Sequence, residues 1–459
     1  MTAKRIVFNA FDMTCIMHQS PGLWTHPQDR STDYKKLDYW IDLARLLEKG
    51  KFDTLFIADV LGVYDTYQNS ADASIRRAVQ IPLNDPLMQV SAMAAATERL
   101  GFGITVSATY EQPYALARRF SSLDHLTSGR IAWNVVTSYL DGAARNLGYD
   151  RQVSHDERYA LADEVVDVCY KLWEGSWEED AVVSDRKNQV YADPSKVHPI
   201  HHKGKYFSVP GVHLCEPSPQ RTPVIWQAGT SPAGRAFAAK NAEAIFTAAP
   251  TAQTLRGYVD EIRRLAAQNG RDPRSLKIFT EITIVTAETD ALAQEKYEEY
   301  LSYVDYEGAL AFYGGVSGLD LSKLDPDQPL EYVDTDSARF SLEIFTKADP
   351  KRTWTPNEVV KFLGIGAMGP VFVGGPSRVA DELERWIDEA DIEGFNLAYA
   401  ITPGTFEDFI RYVVPELQTR GRYWKDYDES TTVRERLYGV GHKRVRDDHP
   451  AARYRRTGR

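Results

Sequence analysis

The chain has 459 residues, 43% hydrophobic and 26% charged, the balance of a globular protein with a large core. Lys and Arg number 54 against 65 Asp and Glu, and the resulting charge of −11 disfavours non-specific nucleic-acid binding. Cys15, Cys169 and Cys215 are far apart with no CxxC spacing, which argues against a disulfide framework or a structural zinc site.

From its N-terminus the chain moves straight into a strand pattern, with no apolar signal core and no apolar run near the roughly 20 residues that span a bilayer. A cytoplasmic protein without membrane partners is expected. Short apolar runs bounded by turn residues predict strands at 6–11, 54–59, 102–109, 131–137, 223–229, 242–248, 277–285 and 394–400. Helical periodicity lies between them, at 39–49, 86–99, 115–126, 157–172 and 255–268, with Pro113 placed to start a helix and Gly129 to stop one. Eight strands with intervening helices point to an α/β fold, a closed parallel (β/α)8 or TIM barrel. The first strand runs into Asn9-Ala-Phe-Asp12 rather than the glycine-rich turn of a doubly wound sheet.

Two stretches interrupt the alternation within this single domain. Residues 174–222 are polar and rich in Pro, Gly and His, and are expected to cap a barrel end. Residues 303–368 read as an inserted, lid-like subdomain. Segment 421–459 ends in a basic tail expected to pack on the surface or in subunit contacts. Gly364-Ile-Gly-Ala-Met-Gly369 fits GxGxxG, but a helical stretch precedes it and a strand-like one follows. A loop of the insertion is expected there, not a dinucleotide site.

In a barrel, chemistry sits where strands end and loops begin. Asp59, Thr109, Thr137, Ser138 and Gly229 fall at such ends, and Asp59 either meets a ligand edge or caps a turn. Gly229-Thr-Ser231 joins close backbone approach, two hydroxyls and the free N–H groups of a helix start, as a phosphate site requires. Ser231 before Pro232 is equally a plain helix cap. His155 and Tyr159, four apart at a helix start, could both reach a phosphate; His155 could also be a solvated loop histidine. Phe11, Cys15, His18 and Trp24, with Tyr64 and Gln80, make either a mostly apolar pocket for a small ligand or ordinary packing. His201, His202 and His213 lack partners at metal spacing, and no metal site is expected. A nucleophile elbow, paired carboxylates and a P-loop are missing from the sequence.

Six stretches occur in order along nearly the whole chain: Glu48-Lys-Gly-Lys-Phe-Asp53, Leu55-Phe-Ile-Ala-Asp59, Tyr114 to His125, Gly129 to Ser138, His155-Asp-Glu-Arg-Tyr159 and Gln227-Ala-Gly-Thr-Ser231. On these the chain resembles the bacterial-luciferase-like flavin monooxygenases, in the branch of nitrilotriacetate, dibenzothiophene sulfone, long-chain alkane and dimethyl sulfide monooxygenases. Residues 9–15, 19–22, 319–327 and 394–400 look closest to the sulfide-oxidising members. The resemblance implies two-component chemistry, with reduced FMN supplied by a separate NADH-dependent reductase and one atom of dioxygen passed to a small apolar substrate. A dialkyl sulfide such as dimethyl sulfide fits best; a long-chain alkane or a sulfone is the alternative. It also implies a homodimer or homotetramer.

Residue by residue, the resemblance places Asp59, Thr105, Ser138, His155, Tyr159, Gly229, Thr230 and Ser231 on FMN, with His155, Tyr159 and 229–231 at its phosphate. Cys15, His18, Tyr64 and Gln80 match pocket positions, alongside Phe11. Tyr139 and Phe312 stand where the alkane-oxidising members have histidines, which weakens the alkane reading. Of the two residues set at the reacting centre, His18 is the candidate for hydrogen bonding or proton delivery, and Cys15 is a wall rather than a nucleophile. Residues 303–368 are expected to close over the pocket. The rivals are a deazaflavin-dependent dehydrogenase and a non-catalytic flavin-binding protein.

Overall fold

Strands covered by helices on one side and by each other on the other are buried on both faces, which is why they read as continuous apolar runs. In the computed structural model, which describes residues 4–229, 231–329 and 354–456, nine such runs form one parallel sheet among the described residues. They are β1 (Val7–Met13), β2 (Thr54–Ala58), β3 (Gly101–Ser107), β4 (Ile131–Val136), β5 (Val224–Gln227), β6 (Ala244–Thr247), β7 (Lys277–Thr286), β8 (Val371–Gly374) and β9 (Gly394–Ala398). β1 to β7 neighbour one another in chain order, and β9 lies between β7 and β1, closing the barrel. All eight expected runs are staves, their ends moved by one or two residues. β8 is the addition. β7 is ten residues long and outruns β6; its lower part pairs with β6 and its upper part, Thr283–Thr286, with β8.

The outer layer contains α1 (Leu37–Lys49), α2 (Pro113–Leu126), α3 (His155–Gly175), α4 (Pro232–Asn241), α5 (Ala252–Gln268), α6 (Asp290–Ser302), α7 (Tyr306–Ser317), α8 (Pro356–Leu363) and α9 (Pro376–Ala390). The helix expected at 86–99 is only Val90–Ala95. Arg130, far along the chain, donates to the carbonyls of Ala94, Thr97 and Leu100 (2.8–3.1 Å), so they no longer need a following turn.

Alternation along the staves sorts the core. Phe8, Leu55, Phe102 and Trp133 face the helices. Phe11, Phe56, Trp226 and Phe279 fill the barrel, where Trp226 stacks on Phe279 at 4.9 Å. Three polar side chains share one interior level, since Asn9 lies beside Asn396 and Asn396 beside Glu281 in the strand register. Asn9 donates to Asn396 Oδ1 at 2.8 Å. Burial pushes the Glu281 carboxyl up to about 8, so it is held protonated.

The insertions have distinct surroundings. Segment 174–222 holds two small antiparallel hairpins, and the loop of the second is tied to α3, where Glu164 accepts backbone N–H groups of Lys205, Tyr206 and Phe207. The histidines there are structural: His202 meets Glu164 at 3.1 Å and His213 meets Ser121 at 2.9 Å. The described part of 303–368 lays α7 and α8 over the C-terminal mouth, joining Met17, Tyr64 and Tyr67 in one apolar cluster. The GxGxxG segment follows α8 and turns into β8. Its glycines permit close approach to β7, for a Cβ on Gly369 would stand 2.9 Å from Glu281 Cγ.

At the opposite end the tail folds back on its own barrel. Val433 joins the interior cluster, and fully buried Arg434 pairs with Glu243 through bonds of 2.8 and 2.9 Å. Burial alone would raise the Glu243 carboxyl; the guanidinium outweighs it and holds the group below its ordinary range. Among the described residues no helix is long and apolar enough to cross a membrane, and no cluster of His, Cys, Asp or Glu could hold a metal ion.

Candidate functional site

The site begins where β5 gives way to α4. Ser231 caps the helix, its hydroxyl accepting from Gly234 N at 3.1 Å, and the same oxygen lies 3.1 Å from His155 Nε2. Helix cap and ligand site are thus compatible readings of one residue. The start of α3 brings His155 and Tyr159 to this point, their rings edge to face at 5.2 Å, with Asp156 orienting the imidazole at 2.9 Å. A Cβ on Gly229 would stand 2.7 Å from the Tyr159 hydroxyl, and one on Gly234 2.8 Å from it. Only glycines leave that hydroxyl room above the helix start. Burial raises the Tyr159 pKa despite bonds with Ser231, Thr137 and Gln227, so it remains a hydroxyl donor. Hydroxyls, an imidazole and the positive end of α4 converge here. This donor set suits a phosphate. Thr230 lies outside the described residues.

Next to it, the ends of β2, β3 and β4 form a polar wall. Asp59 and Asp85 border a cavity of about 200 Å³ together with Thr105 and Ser107. Burial, reinforced by the charge of Asp85, lifts Asp59 to about 7. Thr105 accepts from Asn134 Nδ2 at 2.9 Å, and Ser138 donates to Ser107 at 2.8 Å. Ser138 has a left-handed backbone (φ 54°), a strained choice for a non-glycine residue that turns its hydroxyl towards β3. Sequence reasoning missed Ser107, Asn134, Gln227 and Gly234. Strand alternation was an available signal for Ser107, two residues beyond Thr105.

The third side is apolar. Phe11 packs edge-on to His18 at 4.5 Å. His18 is buried, and burial pushes its pKa down to about 3, so the imidazole is neutral. Gln19 Nε2, which can only donate, lies 3.3 Å from His18 Nε2. The ring proton therefore belongs on Nδ1, which is buried and has no partner among the described residues. Cys15 points its thiol at the Met17 carbonyl, 3.3 Å away, and burial raises its pKa well above the ordinary value, leaving a poor nucleophile. Tyr64 donates to Gln80 Oε1 at 2.9 Å and lies 2.7 Å from the Tyr139 hydroxyl. Phe312, on α7, meets the Tyr64 ring edge-on at 6.1 Å. The structure thus gathers the expected residues into three adjoining groups around one barrel mouth. Trp24 packs against the apolar cluster of the insertion.

The chain matches the family described as luciferase-like monooxygenase over residues 14–390. It is 55% identical to dimethyl-sulfide monooxygenase of Hyphomicrobium sulfonivorans over 98% of this chain and 94% of that one. It is 52% identical to long-chain alkane monooxygenase of Geobacillus thermodenitrificans (strain NG80-2) over 98% of both chains. The crystal structure of a riboflavin lyase with modified FMN and riboflavin superposes with a TM-score of 0.92 at 37% identity, covering 99% of this chain and 100% of that one.

Proposed function

Since the chain belongs to the luciferase-like monooxygenase family, which implies a flavin and the incorporation of oxygen, we propose that it binds reduced FMN from a separate NADH-dependent reductase and oxygenates a dialkyl sulfide such as dimethyl sulfide. The observation that carries the FMN assignment is the meeting of Ser231, His155 and Tyr159 over Gly229 and Gly234 at the start of α4. A flavin phosphate fits those donors. Asp59, Thr105 and Ser138 then flank the ring side, and Phe11, Cys15, Tyr64, Gln80, Tyr139 and Phe312 line the substrate side. When bound in its reduced form, the flavin supplies the electrons that activate dioxygen. His18 offers Nδ1–H as a hydrogen-bond donor at the reacting oxygen. With its pKa near 3 it acts as a neutral imidazole rather than a reservoir of protons. Cys15 is a wall, and the described part of the 303–368 insertion excludes water from the mouth. The sulfide is preferred over the alkane because Tyr139 and Phe312 leave no imidazole on that side. A homo-oligomer in the cytoplasm completes the reading.

Tyr159→Phe and Ser231→Ala are each expected to weaken reduced-FMN binding by about 1.5–3 kcal/mol, or about 10- to 150-fold, the worth of a charge-assisted hydrogen bond. Anaerobic titration measures this, and unchanged affinity in both variants defeats the phosphate assignment. His18→Ala should keep flavin affinity but form far less product per NADH consumed; normal coupling would remove His18 from the chemistry. A substrate panel with FMN, NADH and a reductase, read by mass spectrometry, tests the class. Oxygenated product that depends on a dialkyl sulfide is the expected result, and turnover of alkanes alone would overturn it.

A further inference from the structure

We propose that the Phe312 and Tyr64 rings form a fixed stop at one end of the substrate pocket, which restricts it to molecules with short alkyl chains. The inference rests on the substrate side assigned above and names the size class that side accepts. Tyr64 comes from the loop after β2 and Phe312 from α7, so two separate segments build the stop. The rings meet edge to face at 6.1 Å, and only 4% and 3% of their surfaces are exposed. Met17, Tyr67, Leu310 and Tyr313 belong to the same packed apolar cluster. The rings are therefore backed by other side chains rather than by water.

Both rings are held in place by more than packing. The Tyr64 hydroxyl donates to Gln80 Oε1 at 2.9 Å and lies 2.7 Å from the Tyr139 hydroxyl. The Tyr64 carbonyl accepts from Ser74 Oγ at 2.6 Å. Gly315 of α7 lies so close to the Tyr64 ring that a Cβ there would enter it, so only glycine lets the helix come this near. The first turn of α7 is pinned in turn, where Glu307 accepts from Arg76 at 2.8 Å and from Arg77 at 2.7 Å. A longer ligand would have to break hydrogen bonds or displace a helix to pass. Each methylene buried in an apolar pocket strengthens binding by about fourfold, and that gain ends where the rings begin.

The test measures dissociation constants of dimethyl, ethyl methyl, butyl methyl and hexyl methyl sulfide by calorimetry on the protein saturated with FMN. In wild type, affinity should rise by about fourfold per added methylene and then break off before the hexyl compound. Phe312→Ala removes the α7 half of the stop, so the rise should continue through hexyl. Phe312→Leu opens less space and should move the break to a longer chain; it carries the test if the alanine variant does not fold. A rise that continues through hexyl in wild type overturns this proposal alone. So does a break that stays where it was in the folded variants. A wild type that binds none of the sulfides overturns the substrate reading and this proposal together.

Discussion

Arg434→Met is expected to destabilise the protein by about 3–5 kcal/mol, because it strands a carboxylate in the interior. Arg434 is fully buried, and Glu243 nearly so. Besides its two bonds to Glu243, the guanidinium donates to the carbonyls of Thr222 and Lys443 at 2.7 and 2.8 Å. Methionine fills much of the space but offers no donor. Glu243 must then either carry an unpaired charge or take up a proton, and both cost free energy. The double variant Arg434→Met/Glu243→Gln should recover a large part of the loss, because it removes the stranded charge. Urea midpoints for wild type, the single variant and the double variant measure this. A single variant as stable as wild type would show that the pair is not held as described.

Glu281→Gln is expected to stabilise the protein at alkaline pH and to flatten its decline in stability as pH rises. Burial lifts Glu281 from the ordinary 4.5 to about 8 in the folded chain. Between those values the folded protein retains a proton that the unfolded chain has released. Its contribution is therefore complete below about pH 4.5 and is lost as pH climbs towards 8. A shift of this size corresponds to about 2–5 kcal/mol. Glutamine has the same shape and cannot ionise, so that part of the slope should vanish. Asp12, which burial also lifts to about 8, has the same sign and leaves a residual slope in the variant. Denaturant midpoints at pH 5 and pH 8.5 decide the matter, and equal declines in wild type and variant would exclude Glu281 as their source.

The barrel was legible because staves buried on both faces are written as short apolar runs, and β1, β4 and β7 stand close to where those runs lie. The place of β8 was not, since its pairing depends on β7 outrunning β6, a three-dimensional fact with no local signature. Residues 86–99 have a helical pattern throughout, but Arg130 decides where the helix stops. At the site, Gly229 and Ser231 signal their chemistry by residue type alone. Gln80, Tyr64 and Tyr139 were each singled out, but the chain linking them spans 75 residues from Tyr64 to Tyr139 and hangs on a left-handed backbone at Gln80. The basic tail was visible as charge. That Arg434 would leave solvent for a carboxylate 191 residues away was not.

Val433 and Arg434 also set an order on biosynthesis. A ribosome makes every stave from β1 to β9 before it makes the residues that stopper the lower end. Until they arrive, the nascent cylinder is open at its base and Glu243 has no guanidinium. Final closure is therefore a late event in the life of each new chain, and a transcript cut short after β9 would yield an unsealed vessel exposed to chaperones and proteases.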